Sequence, residues 1–128
     1  VHGSRDTIKR IVEVIQRVRN MGKQRDVAEG VYIKEYLTEG EVVVAVCDKE
    51  ILGKTFKEGK LKIHVSEEFY KGDLVEIEDA ISAIERATIA NLVGEKIVAR
   101  AVKEGLLHKD SVIYIQGIPH VQIVKIMF

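Results

Sequence analysis

The chain has 128 residues, 46% hydrophobic and 31% charged, with 20 Lys/Arg balanced by 20 Asp/Glu. That composition excludes a disordered polymer and a global basic field, and no apolar run approaches the ~20 residues of a membrane helix. One cysteine excludes an internal disulfide, and no Cys/His cluster has zinc-site spacing, so neither a metal nor a cofactor is expected.

The opening VHGSRDTIKR lacks the apolar stretch of a secretory signal, so a cytoplasmic location is expected. From Ser4 to Asn20, Ile8, Ile11, Val12, Ile15 and Val18 recur at helical spacing, with Ser4 placed as a cap. The opposite face carries Lys9, Arg10 and Arg17 beside Asp6 and Glu13, whose i,i+4 pairs have the favourable order. The plainest reading is an amphipathic helix with a solvated, paired face. The functional reading is an attachment arm on RNA, carried by Arg5, Lys9, Arg10, Arg17, Arg19, Lys23 and Arg25. Residues 1–30 hold seven Lys/Arg and four Asp/Glu, against 13 and 16 in the rest of the chain. The net charges are thus +3 and −3, which favours a basic arm.

Val31 to Leu37 alternates as a strand, Thr38-Glu39-Gly40 turns, and Glu41 to Cys47 returns as the second limb of a β-hairpin. The unbroken apolar run from Val42 to Val46 suits a strand covered on both faces. Leu61, Ile63 and Val65 alternate with Lys62 and His64, predicting a third strand with His64 on its wet side. Asp73 and Glu76 have the spacing of a reciprocal cap, followed by a helical stripe of Leu74, Ile77, Ile81 and Ile84. Ala87 to Val93 fits either a helix extension or a short strand; its β-branched residues favour the strand. A helix from about Glu95 to Glu104 stops at Gly105. Two last strands, Ser111 to Gln116 and Val121 to Ile126, are joined through Gly117-Ile118-Pro119-His120.

The expected fold is α/β, an α+β two-layer sandwich. A mixed sheet of five to six strands would carry helices on one face, with an N-terminal amphipathic helix added. Residues 1–30 form the extension and 31–128 a single domain. With only two asparagines beside abundant Val, Ile, Lys and Glu, the composition leans toward a thermophile.

Taken together, the phrases AVCDKEILGKTF, SEEFYKGDLV, ATIANLVGEK and GIPHVQIVK resemble the archaeal domain of unknown function 424 family from Val31 to about Met127. The resemblance implies an archaeal cytoplasmic protein with a two-layer α/β fold and a loose association with translation, and it implies no activity. Family members begin near the phrase at Val31, so the first 30 residues stand outside the shared pattern.

Cys47 and His120 lie in those phrases and form the pair that an enzyme would need, a thiol activated by a histidine. The alternative is an inert buried thiol and a histidine that orders a turn. Asn91, Gly94, Glu95 and Lys96 outline an anion site at a helix start, although without phosphate-loop spacing. Glu76, Glu78, Asp79 and Glu85 read as a solvated helix face rather than a metal site. The favoured reading is a non-enzymatic translation factor that binds the ribosome or ribosomal RNA. The rivals are a small enzyme or small-molecule binder using Cys47, Asn91 and His120, and a homo-oligomer assembled through the first helix.

Overall fold

A computed structural model describes residues 30–125, together with Lys9 and Ile11. The fold is arranged around β2 (Glu41–Asp48), whose residues from Val42 to Asp48 are buried except for Val43. It pairs antiparallel with β1 (Gly30–Thr38) across a two-residue turn in which Glu39 and Gly40 both have positive φ. That backbone matches the twist of the strands and suits Gly40. On its other side β2 pairs in parallel with β6 (Ile89–Val93).

The sheet has six strands in the order β5-β1-β2-β6-β8-β7. Its outer members are β5 (Asp73–Glu76) and β7 (Ile113–Ile115), with β8 (Ile118–Val124) inside β7. Among the described residues only the β2–β6 pairing is parallel.

Alternation along β2 divides the core. Val44 and Val46 join Ile33, Leu92, Ile84 and Ile97 beneath two helices, α2 (Ile77–Arg86) and α3 (Glu95–Lys103). Full burial of each such aliphatic side chain contributes about 1.5–3 kcal/mol. Ala45 and Cys47 face the other way, into a smaller cluster with Val65, Tyr70 and Val93. That side is covered by the one-turn helix α1 (Glu67–Tyr70) and by a separate ribbon of β3 (Thr55–Glu58) and β4 (Leu61–His64). Both faces of β2 are therefore covered, as its unbroken apolar run demands.

Local chemistry closes the helices. Gly105, at φ 77°, donates to Val102 O, while Leu106 donates to Ala101 O. This double bond pattern across a left-handed glycine satisfies the last carbonyls of α3. At the end of α2, Lys125 Nζ donates to Ile84 O at 2.9 Å and to Glu85 O at 2.6 Å.

Three expectations change. Asp73 and Glu76 do not cap a helix: residues 73–76 form edge strand β5, and Leu74 pairs with Tyr32, 36% exposed. Backbone pairing to β1 prevails over the local capping pattern, and α2 begins at Ile77 with no side-chain cap bond. The strand at Leu61 belongs to the ribbon rather than to the main sheet. The segment from Ser111 is a strand only over Ile113–Ile115, after a 3-10 turn at Lys109–Ser111. The extended reading of Ala87–Val93 holds as β6. Arg5, Arg10, Arg17, Arg19, Lys23 and Arg25 lie outside the described residues, as does Ile126; Lys9 is helical and exposed.

Candidate functional site at the ends of the central strands

Strands β2 and β6 run in parallel and end side by side, at Asp48 and Val93, where α3 begins. Asp48, 5% exposed, is the only buried charged residue among the described residues. Its Oδ2 accepts from Lys96 N at 2.8 Å and its Oδ1 from Ile97 N at 3.0 Å. The carboxylate therefore fills two of the first-turn donors of α3, at the positive end of the helix dipole. Burial pushes the Asp48 pKa up, against the two N–H bonds that pull it down. Lys96 Nζ turns outward to Glu50 Oε2 at 3.0 Å. Burial works against the Glu50 charge, but Lys96 prevails and holds its carboxyl below the ordinary range.

Gly94 is the second half of this lock. Its φ of 120° is a conformation that L side chains rarely adopt, and a Cβ would overlap the Asp48 carboxylate, coming within 2.7 Å of Oδ2. Its N–H donates to Pro119 O at 3.0 Å, which ties β8 to the same junction. The anion site expected at Gly94, Glu95 and Lys96 is thus filled by the chain's own anion. Asn91 does not belong to it. It pairs with Ala45 and Gln122 in the middle of the sheet, on the face away from α3.

The structure sets Cys47, Val93 and His120 in one row across three strands, since Cys47 pairs with Val93 and Val93 with His120. The thiol and the imidazole consequently share a face but stand two strand spacings apart, roughly 10 Å. Val93, fully buried, lies between them. Cys47 is 0% exposed, and burial, with the Asp48 charge adding to it, pushes its thiol up to about 12. Tyr70 beside it rises to about 12 for the same first reason, burial, with the charges of Cys47 and Tyr36 adding. Burial moves His120 the other way, holding its imidazole below its ordinary value. This geometry keeps the thiol protonated at neutral pH and leaves the histidine neutral, without a direct path between them.

Asp48 was the residue that motif reasoning passed over. Its only local signal is an acidic residue ending an otherwise apolar strand, and its partners lie 48 and 49 positions away. No group of three or more His, Cys, Asp or Glu side chains placed to hold a metal occurs among the described residues.

Comparison with known proteins fits this description. A crystal structure of an uncharacterized conserved protein from Methanopyrus kandleri is similar at 28% identity and a TM-score of 0.62, covering 77% of this chain and 96% of that one. No curated protein matches. The profile of the family described as "Protein of unknown function (DUF424)" matches residues 36–126, and the chain belongs to that family.

Proposed function

We propose that the protein is a non-enzymatic archaeal factor associated with translation, which binds the ribosome or ribosomal RNA in the cytoplasm. The observation that carries this reading is the state of the family phrases' polar residues. Cys47 is sealed, Asp48 and Gly94 hold β2 to α3, and the Lys96 and Ile97 N–H groups in the first turn of that helix are occupied. The groups with the most chemical potential hold the fold together, and recognition falls to the exposed surface. The +3 balance of residues 1–30 supports an attachment element there, made of Arg5, Lys9, Arg10, Arg17, Arg19, Lys23 and Arg25. The archaeal neighbour and the Val/Ile/Lys/Glu-rich composition support an archaeal, thermophilic source.

Sedimentation of cell extract through sucrose gradients at low and high salt tests the proposal. Co-migration with ribosomal particles at low salt, lost at high salt, is expected of a contact made chiefly with phosphates. A chain that stays at the top of both gradients, as monomer or homo-oligomer, overturns it.

A further inference from the structure

The β3–β4 ribbon carries an unpaired line of positive charge. Lys54, Lys57, Lys60 and Lys62 are all exposed, within a stretch whose one acidic residue is Glu58. Strand pairing assigns the faces: Phe56 sits opposite Ile63 on the inner one, and Lys57 opposite Lys62 on the outer one. Phe56 and Ile63 pack into the cluster around Cys47. Glu58 is turned away from the lysines, accepting from Gln116 N at 2.6 Å, while Lys57 N donates to Gln116 Oε1 at 2.8 Å. The ribbon is therefore anchored at the β7–β8 turn, and its outer face is left to Thr55, Lys57, Lys62 and His64. Thr55 Oγ1 and His64 Nδ1 share a hydrogen bond of 2.7 Å. At the root, the carboxylate of Glu67 pairs with Lys71 at 4.0 Å. Among the described residues no ion pair involves any of the four ribbon lysines.

Like charges placed directly opposite on a two-stranded ribbon are destabilising. Lys57 and Lys62 occupy that arrangement, and a bound anion would relieve it. The outer face offers no apolar side chain for insertion into a lipid surface. Compact ammonium groups on flexible stems act on phosphate as point charges. Resting on the ribosome reading above, we infer that the outer face of the β3–β4 ribbon, with Lys57 and Lys62 on it, Lys54 at its root and Lys60 in its turn, is a binding site for the phosphate backbone of RNA. The ribbon tracks the backbone rather than reading bases, because it displays no exposed aromatic ring for stacking.

The test is binding of the full chain to a double-helical RNA stem-loop, followed by fluorescence anisotropy over a salt series. Replacing the four lysines by Gln is expected to weaken binding at least about tenfold at physiological salt and to reduce the salt slope by roughly 3. Lys62→Glu supplies an ion-pair partner to Lys57. It is expected to keep or raise the melting temperature while weakening RNA binding, a combination that loss of folding cannot produce. If the wild-type chain binds no RNA, the ribosome reading falls and the inference falls with it. If it binds, and the four-lysine variant shows unchanged affinity and slope, the inference is overturned while the broader reading stands. Equal affinity for a polyglutamate peptide of matched charge also overturns it, because the ribbon would then be an acidic-protein site.

Discussion

Burial of the Cys47 thiol has a measurable consequence for its reactivity. Alkylation by iodoacetamide at pH 8 is expected to be at least about 100-fold slower in the folded protein than in urea, because the reagent needs both access and thiolate. The thiol also links stability to pH. Its folded value, about 12, lies above the unfolded one, so the stability it contributes is complete below roughly pH 8.5 and is lost as the pH rises toward 12. A Cys47→Ala variant should lack that alkaline loss in urea melts. His120 acts on the acid side: its folded value is depressed, so its contribution is present above about pH 6.5 and is lost as the pH falls through the folded value. The burial of Cys47 was legible in the apolar run leading to it. Its separation from His120 was not, because 73 residues of sequence carry no information about which strand comes between.

The junction of β2, β6 and α3 is a single unit built from a buried carboxylate and a glycine. Asp48→Ala leaves the N–H groups of Lys96 and Ile97 without their acceptor, which should destabilise the protein by about 2–4 kcal/mol. Gly94→Ala drives a methyl into the same carboxylate and strains the backbone, at a similar cost of about 2–4 kcal/mol. The two effects should not add. Removing the carboxylate makes room for the methyl, so Gly94→Ala should cost less in the Asp48→Ala background, by about 1 kcal/mol or more. Urea denaturation of the four proteins checks the cycle, and strict additivity would exclude the lock. Elements of this kind explain what sequence patterns show and what they hide. The β1–β2 hairpin and α3 were legible because alternation, turn glycines and helical spacing are local. Strands β3 and β5 were not: Thr55–Glu58 has one apolar residue, and Asp73–Glu76 imitates a helix cap. Both are fixed by partners elsewhere, β5 by the edge of β1 and the ribbon by Gln116. The helix start at Gly94 was recognised as attractive to an anion, but not that Asp48 supplies it.

Across the whole molecule, protection is expected to fall away from the centre of the sheet. In native-state hydrogen exchange, the amides of Val44, Val46 and Leu92 should exchange only through global unfolding. Those of β3, β4 and β7, with few buried side chains, should exchange through local openings of lower free energy. Equal protection of ribbon and centre would contradict this division. A ribbon that opens locally on a stable sheet would suit its proposed use, since lysines on a yielding element can follow an irregular polyanion.

The parallel pairing of β2 with β6 has a consequence for how the chain is made. The 40 residues 49–88 separate those strands, so during synthesis the hairpin is complete well before its second partner emerges. Until then the most apolar strand of the protein presents an open edge, the condition under which strands pair with the wrong neighbour. The centre of the sheet can close only after β6 and the helix start at Gly94 arrive to meet Asp48, a long-range contact of the slow kind, and β8 can add to β6 only later still. The nascent chain is most exposed to misassembly in the interval between Asp48 and Gly94.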